Sequence, residues 1–129
     1  MPITLDWLDV KEQAIIYHFT DTWTLHDAKE ALQTAIYMQD EQSVQHVSYI
    51  YDLTASKVPP RQMMQAMKSV ISLLLEPAPD CIIIVEPSER IRMVIDTLRQ
   101  VVPHKLHERI FYAQTLPHAQ TLLKQYHAN

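Results

Sequence analysis

Apolar and polar residues alternate at the start of the chain, with Ile3, Leu5 and Trp7 set against Thr4 and Asp6, the two-residue period of a strand with one buried face. A charged break over residues 8–12 leads into Ala14-Ile15-Ile16-Tyr17-His18-Phe19, so the opening reads as two strands joined in a hairpin. The period then changes. Behind Thr24, which with Asp27 forms a weak variant of the capping box, Leu25, Ala28, Leu32, Ala35 and Ile36 recur at helical spacing and predict a helix over residues 25–40.

Val47 to Leu53 is a third β-prone run, and Pro59-Pro60 supplies a stiff entry to a helix carrying Met63, Met67, Val70, Ile71 and Leu74, ended by Pro77 and Pro79. Cys81-Ile82-Ile83-Ile84-Val85 has no polar face. A continuous β-branched run of this kind suits a strand covered on both sides and hence central in a parallel sheet. Ser88 caps the next helix, in which Ile91, Val94, Ile95, Leu98 and Val102 face inward and which Pro103 closes. Ile110 to Ala113 is a short fifth strand, and Thr115 and Pro117 open a last helix with Ala119, Leu122, Leu123 and Tyr126 on one side. The order ββαβαβαβα predicts an α/β fold in which a mixed, mostly parallel sheet, antiparallel at the hairpin edge, is packed by four helices through right-handed crossovers. No linker divides residues 1–129, so a single domain is expected.

Composition narrows the chemistry. Glycine is absent, so the phosphate-cradling Walker and Rossmann loops and the nucleophile elbow of serine hydrolases are excluded. The net charge of −4 and the lack of any Lys/Arg block argue against nucleic-acid binding. No apolar run approaches a membrane span, the first residues lack the blocks of a signal peptide, and the single cysteine, Cys81, has no partner in the chain, so a reducing, cytoplasmic location is expected. Cys81 opens a buried strand and reads as a small hydrophobe. Seven histidines make the net charge sensitive to mild acidification. His104 and His107, with Glu108 as a third ligand, are a weak metal signal, and His18 and the His26-Asp27 pair have no serine or cysteine nucleophile beside them in sequence. Neither a cofactor nor catalysis is expected.

In open α/β sheets ligands and partners are met outside the carboxyl ends of the strands. That rule places Asp52, Thr54, Ser56, Lys57 and Arg61 after the third strand beside Glu86, Ser88, Arg90 and Arg92 after the fourth. Arg61, Arg90 and Arg92 fall in first turns of helices, where the helix dipole opposes a cation unless an anion compensates. A small anion, or an acidic partner segment, held between the two helix starts is the functional reading. The plain one is that Asp52 and Glu86 pair with the arginines, or that these charges are solvated. Met64 lies off the inward stripe of its helix and is a candidate partner contact, although methionines at helical spacing are more often core. Trp7 and Trp23 are placed at the sheet edge, where an exposed face would serve a homodimer.

The chain resembles the STAS family of anti-sigma-factor antagonists, and more closely bacterial STAS-like or SEC14-like proteins. The likeness lies in Trp7, the strand Tyr17 to Phe19 with Trp23-Thr24 after it, Tyr51-Asp52-Leu53-Thr54 with the following Pro-Pro, and Ile82 to Val85 leading to a Ser-x-Arg helix start. It spans nearly the whole chain through element order. In signalling members a strand ending Asp-Leu-Ser precedes an Asp-Ser-Ser-Gly motif whose serine is phosphorylated. Asp52-Leu53-Thr54 matches the first part, but Pro60-Arg61-Gln62-Met63 falls where the motif would lie, so the phosphoacceptor is lost. The resemblance implies a non-catalytic regulatory module that presents the loop and helix after the third strand to another protein. The alternative, from the SEC14-like side, is a carrier of a small anionic or lipid-like ligand held by the loops after the third and fourth strands.

Overall fold

The computed structural model describes residues 2–9, 13–44, 46–73, 79–85, 88–100 and 109–128. Among these the chain forms strands β1 (Ile3–Asp9), β2 (Ala14–Asp21), β3 (Ser48–Ser56), β4 (Ile82–Val85) and β5 (Ile110–Ala113), and helices α1 (Leu25–Glu41), α2 (Pro60–Leu73), α3 (Glu89–Arg99) and α4 (Leu116–Ala128). The strands lie in one sheet in sequence order, β1 antiparallel to β2 and the rest parallel. The expected order and mixed sheet are therefore present. The side chains of Met67, Val70 and Ile71, and residues Leu74, Pro77, Glu86, Val102, Pro103, His104, His107 and Glu108, lie outside the described residues.

Alternation along each strand sorts side chains to two cores. Ile15, Tyr17 and Phe19 of β2, Tyr49, Tyr51 and Leu53 of β3, and Ile82 and Ile84 of β4 pack with Leu32 of α1, Met63 of α2 and Val94 and Leu98 of α3. Ile16, Ile50, Ile83 and Val85 face the other way, where α4 covers them with Ala119 and Leu123. Among the described residues, three helices thus share one face and one helix covers part of the other. β4 is buried at all four positions, as its unbroken apolar sequence requires.

The helix ends are fixed by side chains. Thr24 Oγ1 accepts from the Asp27 amide at 3.2 Å while Asp27 Oδ2 accepts from the Thr24 amide at 2.9 Å, a complete capping box. Pro60 is the first residue of α2, where its missing N–H is of no consequence, and the Met63 amide donates to Pro59 O at 3.0 Å. With no glycine available, left-handed backbone is carried by Gln13, Asp21 and Ser43, at φ of 54°, 50° and 55°. Cys81 is buried, its Sγ donating to Ser48 Oγ at 3.2 Å, and burial pushes the thiol pKa up, in keeping with a core residue.

The two tryptophans differ from the expected pair at the edge. Trp23 is a core residue whose ring is tilted against that of Phe19, 5.0 Å between centroids. Trp7 stays on edge strand β1, half-buried against the same core.

Candidate functional site

β3 and β4 are parallel neighbours, Asp52 opposite Val85, so both release their following residues at the same end of the sheet. β3 runs on to Ser56, and this overhang pairs only with β2 among the described residues. Within it the register slips: from His18 to Thr20, β2 advances two residues while β3 advances three, from Asp52 to Ala55. This is a β-bulge, and the extra residue reverses which face the strand's later side chains meet.

The predicted residues are divided by that bulge. Before it, Asp52 continues the row of Ser48 and Ile50 on the α4 side. Its Oδ2 lies 3.2 Å from His18 Nδ1, and its Oδ1 accepts from the Thr54 amide at 3.1 Å and from Thr54 Oγ1 at 2.5 Å. After it, Ser56 turns to the three-helix side, where its Oγ accepts from Trp23 Nε1 at 3.0 Å and from the Val58 amide at 3.5 Å. Lys57 is tied to Asp21, by its amide to the Asp21 carbonyl at 2.8 Å and by Nζ to the carboxylate at 3.6 Å. Asp52 therefore pairs with histidine and not, among the described residues, with an arginine.

Beyond β4, Ser88 is an N-cap whose Oγ accepts from the Ile91 amide at 3.2 Å, which leaves it a structural task of its own. Arg92 turns away from β3: its guanidinium sits 4.6 Å from the centre of the Tyr112 ring on β5, and Arg99 lies 5.0 Å from the same ring. Tyr112 donates its hydroxyl to Asp96 Oδ1 at 2.7 Å, which locks edge strand β5 to α3. Arg61 and Arg90 are exposed and form no ion pair among the described residues. Met63 is fully buried, and Met64 is half-buried, packed against the same core. Large exposed apolar side chains occur instead at Tyr37 on α1 and Met93 on α3, at 67% and 66% exposure, positions without a motif to mark them.

His18 is the residue that sequence reasoning undervalued. A signal was present: it interrupts the apolar row Ala14, Ile16 on β2 just as Asp52 interrupts Ser48, Ile50 on β3, and parallel pairing sets the two interruptions opposite each other. Burial alone would raise the Asp52 pKa, but hydrogen bonds from the Thr54 hydroxyl and amide and from His18 outweigh it and hold the carboxyl below its usual range. A group whose folded pKa is depressed stabilises the fold above its unfolded pKa, and that stability is lost as the pH falls through the folded value. Asp52→Asn is accordingly expected to cost about 1–2 kcal/mol at neutral pH and to flatten the loss of stability below about pH 4, as read from urea unfolding at stepped pH. An unchanged acid limb in the variant would show that Asp52 is not a source of that loss.

Among the described residues no three or more His, Cys, Asp or Glu side chains cluster in a way that would hold a metal, and no helix is long and apolar enough to cross a membrane. A cavity between the sheet and α1 and α2, lined by Tyr17, Phe19, Trp23, Ala28, Leu32, Tyr51 and Ala66, measures about 10 Å³. A groove of about 230 Å³ runs between β1 and α1.

No protein-family model matches the chain, and no curated protein sequence matches it. Among solved structures it is similar to the anti-sigma factor antagonist SpoIIAA in its unphosphorylated form, with a TM-score of 0.60 at 15% identity over 95% of this chain and 97% of that one. The parallel sheet with its antiparallel edge and four helices is therefore the STAS-like fold of the anti-sigma-factor antagonists.

Proposed function

We propose that this protein is a non-catalytic regulatory module that docks an acidic segment of another protein on the rim formed by the starts of α2 and α3. The observation that carries the reading is the placement of Arg61 and Arg90. Adjacent parallel strands deliver both to first helical turns at one end of the sheet, exposed and without an ion pair among the described residues. A cation there opposes the helix dipole, and an approaching carboxylate relieves this by pairing with the guanidinium and the free helix amides together. Similarity in fold to the anti-sigma factor antagonist SpoIIAA supports a regulatory role. A switch by phosphorylation at the start of α2 is not part of the proposal, because Pro60-Arg61-Gln62-Met63 offers no hydroxyl.

The alternative, a carrier of a lipid-like ligand, asks for a pocket of several hundred cubic ångströms. Among the described residues, the cavity lined by Tyr17, Trp23, Tyr51 and Ala66 holds about 10 Å³, the scale of one water, while the loop after β4 lies outside them.

Titration with a poly-glutamate peptide, followed by amide NMR, tests the surface. Salt-sensitive shifts are expected at Arg61, Gln62, Arg90 and Ile91, with affinity falling about tenfold in Arg61→Glu/Arg90→Glu. Shifts confined to other parts of the molecule, or none, would refute it.

A further inference from the structure

On the α4 side of the sheet, opposite α2 and α3, the ends of β2 and β3 carry a partly exposed polar shelf of His18, Asp52 and Thr54. Asp52 is anchored twice by Thr54 and presents its remaining oxygen to His18 Nδ1, the two side chains 20% and 34% exposed. An ionised carboxylate accepts only, so Nδ1 carries the proton. In the neutral imidazole the lone pair is then on Nε2. That atom has no hydrogen-bond partner among the described residues and is not a buried one.

We propose that His18 Nε2 is a nucleophilic site that captures the carbonyl carbon of an activated acyl group, with Asp52 and Thr54 as its positioning residues. Nε2 attacks the carbonyl carbon and the bond to the leaving oxygen breaks, that oxygen departing with the electron pair. The N-acylimidazolium so formed retains its Nδ1 proton against Asp52, which stabilises the charge created at the imidazole. His118, His26 and His46 are less suited. His118 Nδ1 accepts from the Gln114 amide at 3.2 Å, so its Nε2 bears the proton. His26 directs Nε2 at Glu30, 2.9 Å away. His46 has the same polarity as His18 but a looser contact, 3.5 Å from Asp80, on a side chain 75% exposed. Because it uses the opposite face of the sheet, this inference stands or falls independently of the docking surface.

Diethyl pyrocarbonate is the acyl probe, its ethyl carbonate half leaving and decomposing to carbon dioxide and ethanol, with sites and rates read by peptide mass spectrometry at neutral pH. His18 is expected to react fastest among His18, His26, His46 and His118, and Asp52→Asn to slow it about fivefold relative to His46 in the same sample. His18 reacting no faster than His46, or an unchanged ratio in Asp52→Asn, would overturn the proposal. Imidazole ¹⁵N shifts of the unmodified protein give a readout independent of any variant's folding: a neutral ring protonated at Nδ1 is expected, and one protonated at Nε2 would overturn it equally.

Discussion

Ile83→Ala is expected to lower the stability of the fold by about 3–4 kcal/mol, a large fraction of the roughly 5–15 kcal/mol that holds a domain of this size together. Ile83 is completely buried in the middle of β4, in register with Ile50 on one side and Phe111 on the other, and in the same cluster as Ala119 and Leu123 of α4. Truncation removes apolar surface and leaves a cavity where sheet strands and a helix converge, a place that cannot collapse easily. Ile83→Val, which deletes one methyl, is expected to cost about 0.5–1.5 kcal/mol. Urea unfolding measures both, with a shifted midpoint and an unchanged slope as the signature. A loss below about 1 kcal/mol for Ile83→Ala would show that β4 is not enclosed on the α4 side.

Trp23→Ala is expected to cost about 3–5 kcal/mol, and for two separable reasons. The indole fills the core between Phe19 and the α1–α2 seam at 4% exposure, and its Nε1 donates to Ser56 Oγ at 3.0 Å. Ser56→Ala isolates the second contribution. It leaves an indole N–H with no acceptor in a largely apolar setting and should cost about 1–2 kcal/mol, with the near-ultraviolet circular dichroism of the tryptophan altered and the far-ultraviolet spectrum retained. If Ser56→Ala and wild type prove equally stable, the hydrogen bond contributes nothing and Ser56 is free for another role.

Much of the architecture was legible because it rests on local periodicity. Ile3, Leu5 and Trp7 alternate, Ile82 to Val85 do not, and each pattern has one structural meaning that the sheet satisfies. The third strand followed from the same reading, but it runs on to Ser56 and does not end at Leu53, so Asp52 and Thr54 lie within it. What they touch did not follow, because it depends on register between strands far apart in sequence. The pairing of His18 with Asp52 spans 34 residues. The bulge that separates Asp52 from Ser56 has no marker in a stretch reading Asp-Leu-Thr-Ala-Ser, and the usual glycine at such a place is missing. Arg92 was expected beside β3 on the strength of its place in the first turn of α3, but the Tyr112 ring on β5 offers it a π-face on the opposite flank.

The left-handed residue Asp21 has a further bearing on how the rim can evolve. Its carbonyl and carboxylate both hold Lys57, while two residues later Trp23 is sunk into the core and bonded to Ser56. The connection from β2 to α1 and the exit from β3 are thereby spliced into one rigid joint. Insertions there would dislodge an anchor, whereas side chains further along α2 and α3 can vary in place, so new partners are more readily acquired by altering the surface of these helices than by lengthening the loop that precedes α1.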